Sequence, residues 1–240
     1  KGIVMKLLQT LLVLGLVGCS SVSESITSES SSNSSVVDAS KVGQQDKAGD
    51  GCNGEAEACY SLANTFFEGE IVPVDLEKAA FLYYSACKGG HAAACSNLGF
   101  MYENGKGVSR DLEKAASFFA QACKGGVVLG CHNLGLSFER GSGLPLDLQK
   151  ASKFYDVACK SGEALACTNL GYMYDSGKGV PLDVSKAANL YDFGCKGGDA
   201  AACFNLGISY KKGQGVPVDL AKAKNLFDQA CKGGVRQACD

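Results

Sequence analysis

The sequence has no tryptophan, only 2 histidines and 4 prolines among its 240 residues, and no surplus of positive charge. Its formal net charge of −2 leaves no surplus of the positive charge that nucleic-acid binding needs. With so few histidines and no CxxC pair, the 13 cysteines do not resemble zinc ligands. No metal or other cofactor is expected. Cysteines at this density are stable as disulfides only in an oxidising compartment, so the sequence predicts an exported protein.

The N-terminal segment is interpreted as an export signal. Lys6 follows Met5, and an apolar run over residues 7–17 is too short to span a bilayer but suits a signal peptide. The run ends in Leu-Val-Gly-Cys, which resembles a bacterial lipobox whose last residue, Cys19, accepts lipid. Setting this cysteine aside leaves an even number, twelve, for disulfides. We therefore predict a lipoprotein signal peptide over residues 1–18, with ordinary signal cleavage as the alternative.

Residues 19–50 are predicted to be a Ser-rich flexible linker. Serine accounts for 11 of the 31 residues after Cys19, and there is no aromatic residue among them. Such a segment cannot bury enough apolar area to offset its ordering entropy. The predicted protein is an outer-membrane or periplasmic lipoprotein that meets the membrane only through its lipid anchor, with secretion as the alternative.

The rest of the chain, residues 51–240, is a predicted repeat domain with a period of 36 residues. No insertion or deletion interrupts the repeats. The five predicted units and one partial unit are 54–89, 90–125, 126–161, 162–197, 198–233 and 234–240.

Each unit is predicted to form two helices, which we call helix A and helix B. In the second unit, helix A covers residues 91–104, because its apolar residues are spaced i, i+4, i+7 and i+8: Ala94, Leu98, Met101 and Tyr102. Gly105 is free to adopt the left-handed conformation that ends a helix. Asp111 is a good N-cap for helix B, which Gly125 closes.

Small and apolar residues recur at fixed positions and are predicted to form the core. Helix A repeats a leucine: Leu62, Leu98, Leu134, Leu170 and Leu206. The next position is Ala63 and then glycine: Gly99, Gly135, Gly171 and Gly207. Glycine inside a helix costs about 1 kcal/mol relative to alanine, so its recurrence predicts a close helix crossing. One hairpin cannot bury both its faces, so five should stack into a curved, all-α solenoid.

These recurring residues resemble the Sel1-like repeat, a relative of the tetratricopeptide repeat. Its pattern A-C-x-N-L-G-x-x-Y-x-x-G-x-G-V-x-x-D-x-x-K-A is nearly unbroken over residues 164–187. The first unit departs from it at Glu70-Ile71, so its A–B turn is expected to differ. The added cysteine pair per unit resembles the Helicobacter cysteine-rich protein family. The resemblance implies an inner surface lined by helix A. It also implies a β-lactamase or penicillin-binding label, which family members carry.

Twelve cysteines fall in pairs, one pair at each unit junction. The first member ends one helix B and the second lies one turn into the next helix A. Antiparallel helices can bring such Cα atoms within the roughly 4.4–6.8 Å that a disulfide needs. Six equivalent pairs do not suggest redox catalysis, which needs an exposed thiolate of low pKa. The predicted disulfides are Cys52–Cys59, Cys87–Cys95, Cys123–Cys131, Cys159–Cys167, Cys195–Cys203 and Cys231–Cys239.

Three short motifs are similar to those of penicillin-recognising serine enzymes. They are S-x-x-K from Ser85, Y-x-N from Tyr102 and K-[ST]-G from Lys160. They fall in different units, and the last lies at a predicted helix end rather than on a strand, so no catalytic residue is predicted. The two histidines, His91 and His132, show no shared ligand geometry and are interpreted as surface residues.

A binding function is predicted from the helix A positions that vary between units. The first series is Tyr60, Ser96, His132, Thr168 and Phe204. The second series, four residues later in each helix, is Asn64, Phe100, Leu136, Tyr172 and Ile208. The third series, a further four residues later, is Glu68, Asn104, Arg140, Ser176 and Lys212. This spacing places them on one helix face.

A fixed core with a variable lining is what a peptide-binding groove requires. The predicted function is therefore a monomeric scaffold for a protein or peptide, with a cell-wall fragment or a β-lactam as other ligands. The alternative function, implied only by the label that family members carry, is a β-lactam-binding protein or a β-lactamase. The alternative is that these positions drift without function. A recurring amide could clamp a ligand's backbone or join neighbouring repeats: Asn97, Asn133, Asn169 and Asn205.

Overall fold

The computed structural model describes residues 51–239. Over this range the chain forms α-helices of 13 residues each, a short 3₁₀ turn at Arg236–Ala238, and no strand. The A helices are α1 (Ala56–Glu68), α3 (Ala92–Asn104), α5 (Val128–Arg140), α7 (Ala164–Ser176) and α9 (Ala200–Lys212). The B helices are α2 (Leu76–Lys88), α4 (Leu112–Lys124), α6 (Leu148–Lys160), α8 (Val184–Lys196) and α10 (Leu220–Lys232). The predicted signal peptide, Cys19 and linker lie outside the described residues.

Each helix packs against the helices before and after it in the chain, and α7 also contacts α9. The five hairpins therefore stack in sequence, which confirms the all-α solenoid of αα-hairpin repeats. No helix over residues 51–239 is long and apolar enough to cross a membrane.

The helix ends form as their sequences predict. Asp111 accepts a hydrogen bond from the Lys114 backbone N–H at 3.0 Å, and the equivalent aspartate caps every other helix B. Gly105 ends α3 in the left-handed conformation, with φ of 65°. Both devices satisfy backbone groups that a helix end leaves unpaired.

The recurring glycine of helix A lies against an aromatic ring of helix B, which confirms the predicted close crossing. A Cβ added at Gly99 would lie 2.7 Å from the Phe119 ring, and one added at Gly135 would lie 2.7 Å from the Tyr155 ring. Gly171 and Gly207 meet rings in the same way. Both rings named first are fully buried, so the glycine makes room for a large aromatic ring in the core of the second and third hairpins.

A second glycine, in the A–B turn, packs against the preceding unit. A Cβ on Gly107 would lie 2.2 Å from the Leu76 carbonyl oxygen, where the previous helix B begins. Its φ of 66° also favours glycine. The first unit has exposed Ile71 at this position.

The six predicted disulfides all form, with Cα–Cα distances of 4.5–4.9 Å. Five of them join the end of one helix B to the segment that follows it, and Cys52–Cys59 ties the turn before α1 to α1 itself. A solenoid has contacts only between neighbouring repeats, so these bridges reinforce every junction in residues 51–239 on which its cooperativity depends.

Lysines of helix B cover the aromatic residues that end helix A. The Lys78 ammonium lies 4.2 Å from the centre of the Phe66 ring, and Lys186 lies 4.1 Å from that of Tyr174. The same pair recurs in the other units at 5.2–5.4 Å.

Candidate binding surface on the helix A layer

The first predicted series of lining residues lies mainly at the repeat junctions. Ser96, His132 and Thr168 are buried, and Tyr60 and Phe204 are partly buried. Two of them contact the residue that precedes the next helix A. The Tyr60 ring stacks on His91 with centroids 4.0 Å apart, and the Thr168 hydroxyl donates to the Asp199 carboxylate. Phe204 and Val235 both pack against the core cluster that contains Cys203. The series varies together with its neighbours at the junction and offers a ligand little surface.

The prediction that His132 is a surface residue is wrong. Its ring is buried 5.8 Å from the Tyr155 ring, and its Nε2 lies 3.1 Å from the Asn169 side-chain nitrogen. Burial lowers the pKa of His132 below 6.5, and the positive charge of Arg140 lowers it further. Sequence spacing could not show that the next unit covers this position.

The other histidine is partly buried and links two units. The Ala94 backbone N–H donates to His91 Nδ1, so Nε2 carries the proton and donates to Glu57 at 3.1 Å. This residue therefore also has a junction role rather than a free surface position.

The recurring asparagines are half-buried at the same junctions. Asn169 contacts His132 of the preceding unit, with its side-chain nitrogen 3.1 Å from Nε2, and lies near the Tyr155 hydroxyl. Asn97 lies near the hydroxyl of Tyr83, also of the preceding unit. Of the two roles predicted for this amide, these contacts match the one that joins repeats. Asn133 and Asn205 occupy the equivalent positions.

The second and third series reach the surface. Phe100 and Tyr172 are 39% and 47% exposed. Asn64, Leu136 and Ile208 at the same position are partly exposed. The whole third series is exposed: Glu68, Asn104, Arg140, Ser176 and Lys212.

The prediction from sequence did not include two groups of residues that lie on this surface. Leu129 and Leu165, near the start of helix A, are 54% and 50% exposed. In the A–B turns, the Lys106 ammonium lies 4.8 Å from the Phe100 ring centre, and Lys178 donates to the Tyr172 hydroxyl at 3.2 Å. The leucines lie four residues before the recurring asparagine, so helical spacing could have predicted them, whereas the lysines lie in the turn outside helix A.

We call the exposed part of this layer the helix A face. It consists of the second and third series, the two leucines and the two turn lysines. Because equivalent residues of stacked repeats lie in line, the face runs along the solenoid as a track of apolar and charged side chains.

The three enzyme-like motifs do not form a site. Ser85 lies on α2, Tyr102 on α3 and Lys160 on α6. Lys160 is paired with Asp156 at 2.5 Å and ends a helix. Among residues 51–239, no three His, Cys, Asp or Glu side chains are grouped to hold a metal ion.

Five consecutive stretches match the Sel1 repeat family, at residues 56–91, 92–127, 128–163, 164–199 and 200–235. The chain belongs to the Sel1 repeat family. Its Sel1 units keep the predicted period and begin two residues after the predicted boundaries, since the first starts at 56 rather than 54. Comparison with curated proteins returned no match.

Solved structures of other Sel1 repeat proteins are similar. A protective antigen of uropathogenic Escherichia coli strains, described as having an SLR fold, is 32% identical over 76% of this chain, with a TM-score of 0.74. This chain covers 39% of that protein. A Sel1 repeat protein from Oxalobacter formigenes is 30% identical, with a TM-score of 0.72 and coverage of 77% and 76% of the two chains. Helicobacter pylori cysteine-rich protein B is 32% identical over 54% of this chain and 93% of its own, with a TM-score of 0.45.

Proposed function

We propose that this Sel1 repeat protein is a scaffold that binds a protein or peptide partner through its helix A face. The observation that carries the proposal is the set of exposed apolar side chains on this face: Phe100, Leu129, Leu165 and Tyr172. Contiguous apolar surface costs solubility, and monomeric proteins keep it mainly where something binds.

The rigid framework supports this function. The side chains project from helices whose backbones are fixed by buried rings and by a disulfide at each junction. A surface that is already ordered loses little conformational entropy when a partner binds. An extended partner could therefore contact several repeats at once.

The six disulfides indicate an extracytoplasmic protein, because such bridges persist in oxidising compartments. We further propose that Cys19 carries the lipid anchor and that the scaffold is a monomer at the outer membrane or in the periplasm. Metabolic labelling with a radioactive fatty acid tests the anchor. Label lost on Cys19→Ser supports it, and label retained in that variant contradicts it.

Partner capture tests the binding surface. The oxidised domain would be immobilised and exposed to envelope extract, and captured proteins identified by mass spectrometry. The test variant carries Tyr172→Ala and Arg140→Ala on the helix A face. The matched control carries Phe193→Ala and Lys153→Ala, an exposed aromatic and an exposed cation on helix B. We expect a partner that the wild type and the control retain and the test variant loses. Equal recovery by all three proteins would contradict the proposal.

A further inference from the structure

We propose that the helix A face binds an extended, acidic segment of its protein partner, using one apolar side chain and one cation from each of the second to fifth units. This inference rests on the proposed scaffold function and specifies the chemistry of its ligand. It is drawn from the order of residues along the face and from the partners that their charges have.

The second and fourth units present the same pair, an aromatic ring with a turn lysine. Lys106 lies beside Phe100, and Lys178 lies beside Tyr172. The Lys106 ammonium also lies 5.8 Å from the ring centre of Phe67 in the first unit, so it bridges two repeats. A cation on an aromatic ring keeps most of its charge available to a carboxylate approaching from solvent.

The third and fifth units present an aliphatic residue with a cation at the end of helix A. Leu136 is followed by Arg140, and Ile208 is followed by Lys212. The position of the cation thus alternates between helix end and turn, but each of the four units supplies one apolar group and one cation. This regularity is what an extended ligand with a repeating pattern would match.

These four cations have no anionic partner in residues 51–239, since no carboxylate oxygen there lies within 4.0 Å of their nitrogens. Some lysines elsewhere in this range are paired, and others are not. Lys150 lies 3.3 Å from Asp147 and Lys196 lies 2.5 Å from Asp192. The cations of the helix A face therefore remain available to a ligand.

Of the acidic residues beside the face, Glu139 accepts a hydrogen bond from the buried Tyr155 hydroxyl, whereas Asp175 is exposed to solvent. The first unit reverses the pattern, with Asn64 in place of the apolar residue and Glu68 and Glu70 in place of the cation. The face is therefore cationic over four units and acidic at its N-terminal end, which gives the bound segment a direction.

We take the usual distance between packed helices, about 8–10 Å, as the advance per repeat, and an extended chain advances about 3.3 Å per residue. One repeat thus corresponds to about three ligand residues. A carboxylate at every third position, with an apolar residue beside it, would reach successive cations.

The probe is a fluorescein-labelled peptide of four Asp-Leu-Ser repeats, and its control is the same peptide with Asn in place of Asp. Binding is measured by fluorescence anisotropy at low salt and in about 0.5 M NaCl, which shortens the screening length severalfold. At low salt, we expect the affinity for the Asp peptide to be at least about tenfold higher than that for the Asn peptide. This difference in affinity should disappear at high salt.

The test variant replaces the four track cations by glutamine: Lys106→Gln, Arg140→Gln, Lys178→Gln and Lys212→Gln. A control variant makes the same change in charge at four exposed lysines of helix B without ion pairs in the described chain: Lys124→Gln, Lys153→Gln, Lys224→Gln and Lys232→Gln. Far-UV circular dichroism verifies that both fold. The preference for the Asp peptide should disappear in the test variant and persist in the control.

Three outcomes overturn the inference: no binding of the Asp peptide, equal binding of both peptides, or equal loss in the two variants. If any of these occurs while partner capture still depends on Tyr172 and Arg140, the scaffold function stands and only the acidic ligand is wrong. If capture is also insensitive to those two residues, the proposed function fails as well.

Discussion

Replacement of Gly135 by alanine tests the close crossing on which each hairpin is built. Helix propensity alone predicts stabilisation by about 1 kcal/mol. The structure predicts the opposite, because the new Cβ would lie 2.7 Å from two carbons of the Tyr155 ring. Ordinary carbon contacts are about 3.5–4.0 Å, and overpacking a core costs about 1–3 kcal/mol.

The ring has little freedom to yield. Tyr155 is fully buried, and its hydroxyl is held by Glu139. Moving the ring would weaken a hydrogen bond to a charged group, at a cost of about 1.5–3 kcal/mol. We therefore expect Gly135→Ala to lower the free energy of unfolding by about 1–2 kcal/mol after the propensity gain is counted.

Equilibrium urea unfolding of the oxidised domain, followed by circular dichroism, measures the effect. The control is Gly135→Ala in a Tyr155→Leu background, where the smaller side chain leaves room for the methyl group. In that background the alanine should lower the free energy of unfolding by at least about 1 kcal/mol less than it does in the wild type, because substitutions at contacting residues do not have additive effects. Stabilisation by Gly135→Ala in the wild-type background would refute the close crossing.

Three further predictions concern the junctions and caps. Removing one bridge with Cys123→Ala and Cys131→Ala should lower the free energy of unfolding by about 2.6 kcal/mol, as expected from its short loop, and urea titration beside the intact domain would show this. Because the pKa of His132 in the folded protein is lowered below 6.5, the unfolded state binds a proton at this histidine more readily than the folded state does. The melting temperature should therefore fall as the pH drops below 6.5, and His132→Gln should weaken this pH dependence in thermal scans. An unchanged pH profile would contradict the buried neutral imidazole. Asp111→Ala should cost about 1 kcal/mol and Asp111→Asn much less, because both Asp and Asn cap helices; equal melting temperatures for the two variants would refute the cap.

The fold was predictable because every unit repeats the same local devices. One hairpin is specified by the spacing of Leu98, Gly99 and Tyr102, by the Asp111 cap and by the Gly105 turn. Because the same pattern recurs in the other units, an irregular residue in one unit does not obscure it. Contacts in a solenoid reach only the adjacent repeats, so no long-range pairing had to be guessed. The cysteine spacing then fixed the bridges by reach alone.

The binding surface was only partly predictable. The residue type varies between units both at the position of Thr168, which contacts the next unit, and at that of Tyr172, which contacts solvent. Variation alone does not separate the two, because a junction between repeats can vary as freely as a surface. A single helix turn separates the two, and helical spacing cannot tell which of them the next unit covers. Lys106 and Lys178 were missed because a search confined to helix A omits the turn that carries them.

The most direct test of the central claim is site-specific photo-crosslinking in cells that express the full chain. A photoreactive phenylalanine analogue would replace Leu165 on the helix A face or Val157 on helix B. The two sites are matched in exposure, at 50% and 48%. A partner adduct at Leu165 and none at Val157 is the predicted result. An adduct that forms only at Val157, or equally at both, would contradict binding through the helix A face.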